Sequence, residues 1–178
     1  MPGRKADDQF AGDPELQAKE ICLRLLEYRP RTRAELRQAL ARKGIEEGVA
    51  ERVLGRLNAV GLVDDKAFAE VWVRSRHTYE GLGRKAIAAE LRRKGVDDTV
   101  TTEALTTVDY GAEESRAREL VRKKLRTLTT ADHPTKVRRL VAMLARKGYT
   151  QGMSYRVVRD ELQSAGDDTT LLDDLPLE

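Results

Sequence analysis

The chain has 178 residues, of which 4% are aromatic and 35% are charged, and its net charge is +3. So few aromatic side chains argue against a β-sandwich or β-barrel and favour an all-helical fold with an aliphatic core. A single cysteine, Cys22, excludes an intrachain disulfide, and no run of apolar residues is long enough to span a bilayer. We therefore expect a cytoplasmic protein without a membrane partner.

Helix signals follow one another along the whole chain. Asp13-Pro14 predicts a helix start, Thr32 with Glu35 forms a capping box, and Asp64 precedes another periodic segment. Together with apolar periodicity, these signals predict nine helices, over 15–29, 33–43, 46–60, 66–79, 84–94, 99–108, 112–128, 135–147 and 151–164. Residues 129–134 are predicted to form a loop.

A short motif, a lysine followed by a glycine and an apolar residue, occurs three times. Its glycines are Gly44, Gly95 and Gly148, and each supplies the left-handed turn that ends a helix. Apolar residues lie at matching positions around them: Leu36, Ile87 and Leu140; Leu40, Leu91 and Leu144; Ile45, Val96 and Tyr149; Val49, Val100 and Met153; Val53, Ala104 and Val157. The repeat predicts an elongated tandem array of three three-helix, helix-turn-helix-like units.

The predicted units cover residues 14–63, 64–110 and 111–165, between a disordered N-terminal extension, 1–13, and a disordered acidic tail, 166–178.

Charge is unevenly distributed along the chain. Residues 17–164 carry a net charge of +10, whereas 1–16 carry −2 and 165–178 carry −5. A basic body between acidic ends indicates an anionic partner, either nucleic acid or an acidic protein face.

Residues that carry catalytic chemistry are not arranged in any recognisable motif. His77 and His133 lie far apart in sequence, and Cys22 adjoins apolar residues, as a small buried side chain would. Metal-ligand, nucleophile-elbow and phosphate-loop motifs are missing. Phe68 and Trp72, four residues apart, are expected to pack within the array rather than to stack on bases. We therefore predict that the chain is not an enzyme and has no cofactor.

One helix begins with cations, contrary to ordinary helix design. Arg84 and Lys85 occupy its first turn, where the helix dipole favours acids, so an anion docked there would offset the repulsion. Further cations lie at the end of the preceding helix and at the end of this one. The predicted contact face for an anionic partner comprises Arg74, Arg76, Arg84, Lys85, Arg92, Arg93 and Lys94.

Residues 68–96, FAEVWVRSRHTYEGLGRKAIAAELRRKGV, resemble the RecX family of bacterial regulatory proteins. The matching residues are Asp65, Phe68, Ala69, Val73 to Arg76, Gly83, Arg84, Lys85, Ile87, Glu90, Leu91, Lys94 and Gly95. The first unit matches as well, and the resemblance extends over about 17–165, departing at Tyr149 and the 129–134 loop. It implies three helical units, a RecA recombinase filament as partner, and inhibition of strand exchange and of the RecA ATPase.

Two other functions remain open at this point. Three-helix units with a tight turn also suit a protein that binds single- or double-stranded DNA nonspecifically, without RecA. The third helix of the middle unit has no Arg or Lys and that of the first unit has two, which disfavours reading of base sequence. The other alternative is a plain helical scaffold whose positive face is merely solvated. We expect a monomer in each case.

Overall fold

A computed structural model describes residues 12–166, which form nine α-helices and contain no strand. The all-helical prediction is thus confirmed. The helices are α1 (Pro14–Tyr28), α2 (Arg33–Arg42), α3 (Glu47–Ala59), α4 (Asp65–Thr78), α5 (Arg84–Arg93), α6 (Asp98–Leu105), α7 (Tyr110–Leu125), α8 (His133–Arg146) and α9 (Gln151–Ser164). Nearly all of the predicted N-terminal extension and acidic tail lie outside the described residues.

The helix starts follow from local capping chemistry. Asp13 accepts a hydrogen bond from Glu15 N–H, and Thr32 and Glu35 form the predicted reciprocal capping box. Asp64 accepts from Ala67 N–H at the start of α4. Gly83, before α5, is the exception, because it has no side chain with which to cap a helix.

Four predicted boundaries in the second half of the chain are wrong by two residues or more, and one of them is the end of α7, which lies at Leu125 rather than at 128. Helix α7 begins at Tyr110 because Asp109 caps it, and α8 begins at His133, inside the predicted loop, because Asp132 caps it. A proline in the first turn is compatible with that start, since its missing N–H would have no intrahelical partner. Helix α6 ends at Leu105 rather than at 108. Threonine has a low helix propensity, which agrees with this early end.

Each unit buries an aliphatic core of its own. The first cluster is built around Leu36 and Leu40, the second around Ile87 and Leu91, and the third around Leu140 and Leu144, all with no exposed surface. The other repeat positions are buried too, except Val100, which is partly exposed. The helices pack most extensively within their own units, which confirms the tandem array of three-helix units.

The three lysine-glycine turns have the predicted backbone conformation. The φ angles of Gly44, Gly95 and Gly148 are 75°, 73° and 85°, in the left-handed region that glycine occupies without a Cβ penalty. The next residue in each unit returns a backbone hydrogen bond to the helix that has just ended, as from Ile45 N to the Leu40 carbonyl, 3.1 Å away.

The same turns join one unit to the next. The carbonyl of Lys94, in the middle unit, accepts a hydrogen bond of 2.6 Å from the Thr32 hydroxyl at the start of α2. The carbonyl of Lys147, in the third unit, accepts one of 2.7 Å from Gly83 N–H at the start of α5. The turns of the second and third units therefore each dock on the N-terminus of the second helix of the preceding unit.

A carboxylate from the following unit also binds each of these helix starts. Asp65, in the first turn of α4, accepts a hydrogen bond of 2.8 Å from Arg33 N–H. Glu113, in the first turn of α7, accepts one of 2.8 Å from Arg84 N–H. Both helix N-termini thus receive a carboxylate from the following unit, in addition to the Thr32–Glu35 capping box at α2, and the same contact occurs at both joints of the array.

Candidate binding interface

The structure divides the seven predicted contact residues into two groups. Arg74, Lys85, Arg92 and Arg93 have exposed side chains, and Arg92 makes only a solvent-exposed ion pair with Asp98. The remaining three are partly buried: Arg76, Arg84 and Lys94. Lys85 and Arg93 lie eight residues apart on α5 and line one groove, whereas Arg74 lies on α4.

Arg76 and Lys94 surround the only tryptophan of the chain. The Arg76 guanidinium lies 4.1 Å and the Lys94 ammonium 4.4 Å from the centroid of a Trp72 ring. Arg76 also pairs with Glu90 at 3.0 Å, and Lys94 pairs with Glu35 of the first unit at 3.1 Å. Both cations are therefore engaged within the chain, and Lys94 helps to join the first two units.

The N-terminus of α5 already holds an anion. Its Arg84 N–H donates to the Glu113 carboxylate, and Glu113 is only 5% exposed. The first-turn cations are thus explained by a carboxylate that the neighbouring unit supplies. An external anion at this helix start would have to displace Glu113, so the proposed contact of a partner with Arg84 is confined to its side chain.

The outer side of α5 faces the third unit across a groove of about 670 Å³. We call this the α5/α8 groove and define it by Lys85, Ala89 and Arg93 on α5, Val141 and Arg146 on α8, and Tyr155 on α9. Lys85, Arg93 and Arg146 are all exposed, and none of the three forms an ion pair within residues 12–166. Three unneutralised cations therefore surround an apolar floor.

One acid also lines the α5/α8 groove, but its charge is compensated. Glu90 accepts a hydrogen bond of 2.8 Å from the Trp72 indole N–H and pairs with Arg76. Its carboxylate is therefore held by α4 rather than by the groove cations. The groove retains a positive potential that an anionic partner would sense.

Arg146 was not among the predicted contact residues, although the sequence carried a signal for it. It lies two residues before Gly148, the position that Arg42 and Arg93 occupy before Gly44 and Gly95. Only the packing of the third unit against α5 places it across the groove from Arg93. The repeat could have identified Arg146, and the structure shows which residues surround it.

A second basic surface lies elsewhere on the third unit. Lys123, Lys124 and Arg126 at the end of α7 line a groove of about 680 Å³ together with Lys147 and the exposed ring of Tyr79. Glu80 and Glu119 lie among these cations. The surface is therefore more mixed in charge than the α5/α8 groove.

The third helices of the first two units are poorly equipped to read bases. Both cations of α3, Arg52 and Arg56, pair with Glu15 at 2.7 and 2.6 Å. Helix α6 carries no cation at all. Side chains that would have to reach base edges are thus either neutralised or missing in these two helices.

Side chains that could bind a metal or act as a nucleophile do not cluster in the part of the chain that the structure describes. Residues 12–166 contain no cluster of three His, Cys, Asp or Glu side chains that could hold a metal ion. Burial raises the pKa of the Cys22 thiol to about 11, which disfavours the reactive thiolate. Among these residues no helix is long and apolar enough to cross a membrane.

Comparison with known proteins gives matches to all three units. Models of the first, second and third three-helix domains of RecX match residues 18–57, 64–105 and 112–158. The regulatory protein RecX of Amycolatopsis mediterranei (strain U-32) is 56% identical over 158 residues, which cover 89% of this chain and 90% of that protein. That of Mycolicibacterium smegmatis is 53% identical over 168 residues, covering 90% and 89%.

Solved structures give the same fold. A crystal structure of RecX from Lactobacillus salivarius superposes with a TM-score of 0.77 at 23% identity, covering 84% of this chain and 97% of that one. A second crystal structure of a regulatory protein RecX has a TM-score of 0.73 at 26% identity, covering 84% and 73%. With three consecutive domain matches and relatives of this identity over most of its length, the chain belongs to the RecX family of regulatory proteins.

Proposed function

We propose that the chain binds the RecA–DNA filament and inhibits its recombinase and ATPase activities, so that it modulates homologous recombination and DNA repair. The partner comes from the RecX resemblance. The observation that supports it here is the convergence of Lys85, Arg93 and Arg146 around one groove between two units, where none of them forms an ion pair with another of residues 12–166. An array whose units each add exposed surface suits a long polymeric partner.

The contact face that we propose consists of the α5/α8 groove together with the exposed cations Arg74 and Arg92 and the half-buried Arg84. Arg76 and Lys94 support this face from inside, because they hold Trp72 and the joint to the first unit. The proposal takes the protein to act as a monomer in the reducing cytoplasm, in keeping with its single cysteine.

Nonspecific DNA binding without RecA is the second candidate function. The basic surface at the end of α7 favours it, because phosphate binding needs cations but no base-reading helix. The two candidates differ in the ligand that the protein prefers at one salt concentration.

Co-sedimentation distinguishes them. We expect the chain to pellet with RecA filaments on single-stranded DNA at a salt concentration where it does not bind the same naked DNA. Equal binding to filament and naked DNA would contradict the proposed RecA dependence and support nonspecific DNA binding. Retention by neither ligand would contradict both functions.

A further inference from the structure

The α5/α8 groove has a cationic rim and an apolar floor, and the C-terminal residues of the same chain are acidic and aliphatic. Its rim carries Lys85, Arg93 and Arg146, and its floor is apolar, with Ala89 and Val141 among the residues that form it. A ligand that contacts both the rim and the floor would combine acidic with aliphatic side chains. Residues 167–178, DDTTLLDDLPLE, have that composition: five acids and four leucines without a single cation.

The tether between this segment and the groove is short. Tyr155 lines the groove on α9, and Gly166 lies 11 residues further along the chain, or about 16 Å along a helix axis. Six extended residues beyond Gly166 span up to about 20 Å, which brings Leu172 back to the level of Tyr155. Asp173 and Asp174 would follow at the level of the groove cations.

We propose that residues 167–178 fold back along α9 and occupy the α5/α8 groove of their own chain. In this arrangement Leu171 and Leu172 cover the apolar floor, and Asp173 and Asp174 approach the rim cations. A tethered segment has an effective concentration in the millimolar range for a short linker, so even weak contacts fill the site. The acidic segment thereby acts as an internal competitor for anionic partners.

Two other grooves fit the segment less well. The groove at the end of α7 contains Glu80 and Glu119, which would repel it, and no residue of α9 lines it. The groove between the first two units, about 460 Å³ in volume and lined by Leu62, Val71 and Trp72, is more apolar but also has no contribution from α9. Of these three grooves in the described part of the chain, the α5/α8 groove alone combines cations that have no ion pair within residues 12–166 with a wall made by the helix that precedes the segment.

Disulfide trapping in the full chain tests this directly. We would introduce Ala89→Cys together with Leu172→Cys, and as the matched control Val71→Cys, at an exposed site in the other apolar groove, with the same Leu172→Cys. Cys22 does not interfere because it has no exposed surface. We expect the Ala89 pair to form an intramolecular disulfide about tenfold faster than the Val71 pair, at a rate independent of protein concentration.

We expect disulfide formation in the Ala89→Cys, Leu172→Cys variant to slow to the control rate when Lys85→Glu and Arg93→Glu are added. Equal rates for the Ala89 and Val71 pairs would overturn the proposal. So would a disulfide-linked dimer whose yield rises with protein concentration, because the segment would then belong to a second copy.

Binding of a single-stranded oligonucleotide provides a second test, of the competitor role. Asp173→Ser with Asp174→Ser is expected to tighten binding severalfold at low salt, because two competing carboxylates are removed. Unchanged or weaker binding would contradict the competitor role. The competitor role rests on the proposed function only in the identity of the anionic partner. The trapping experiment contains neither RecA nor DNA. Failure of the tail docking and failure of the filament proposal are therefore distinguishable.

Discussion

Gly95 lies directly against Ala34 of the preceding unit, so that a β-carbon at Gly95 would be 2.3 Å from the Ala34 β-carbon. Gly148 has the same relationship to Ala86, also at 2.3 Å. The turns at Gly95 and Gly148 therefore need glycine for two reasons, a left-handed backbone and a close approach between units. Gly44, in the first unit, has no such neighbour within 4 Å among residues 12–166.

The first prediction separates these two reasons with a matched pair of variants. Gly44→Ala tests the backbone alone and is expected to lower the free energy of unfolding by about 1–2 kcal/mol. Gly95→Ala has the same backbone cost and must also push the units apart, which adds about 1–3 kcal/mol. Urea unfolding of both variants gives the difference. Equal losses for the two would contradict the close approach at Gly95.

The second prediction concerns the carboxylate that caps α5 from the next unit. Glu113→Ala leaves Arg84 N–H without its acceptor and is expected to cost about 0.5–2 kcal/mol, as for the loss of an N-cap. Glu113→Gln keeps an acceptor oxygen and should lose less. Hydrogen exchange of the Arg84 amide and the urea midpoint report the effect. An Ala variant as stable as the unchanged chain would show that the bond contributes nothing.

The third prediction is a pH dependence at the joint between the first two units. Burial alone would raise the pKa of Glu35, but hydrogen bonds from Arg29, Thr32 N–H and Lys94 outweigh it and lower the pKa from 4.5 to about 2. A carboxylate with a lowered pKa stabilises the fold fully above its unfolded pKa. This contribution is lost as the pH falls from 4.5 towards 2.

Fluorescence of Trp72 measures this loss, because the Lys94 ammonium that pairs with Glu35 lies 4.4 Å from its ring. We expect Glu35→Gln to be less stable than the unchanged chain at neutral pH and equally stable near pH 2. Glu103→Gln, which removes an exposed ion pair with Lys66, serves as the control with little effect. A constant difference between Glu35→Gln and the unchanged chain at all pH values would refute the assignment.

The fold was largely predictable because its signals are local. Asp64, Thr32 with Glu35, and the three glycines determine helix ends within a few residues, and leucines at fixed offsets from those glycines determine the core. The start of α8 was predicted two residues too late, although Asp132 followed by Pro134 is a helix-start pattern.

The site was less predictable because it depends on contacts between units. Nothing in the sequence around Arg84 shows that Glu113, 29 residues later, caps its helix. Likewise, Arg76 and Lys94 have the same local character as Arg93, yet packing around Trp72 neutralises the first two and leaves the third exposed. Distances across a joint follow from the docking of two folded units, which local patterns do not encode.

The central claim, that the α5/α8 groove contacts the RecA–DNA filament, is tested most directly by strand exchange at fixed salt. The variant is Lys85→Glu with Arg93→Glu, and the control is Arg42→Glu with Lys43→Glu, a double charge reversal at the exposed lysine-glycine turn of the first unit. We expect the groove variant to need at least about tenfold more protein for half-inhibition, a loss of about 1.4 kcal/mol in binding, with the control unchanged. Both must retain the melting temperature of the unchanged chain. A folded groove variant that inhibits at the original concentration would contradict the account.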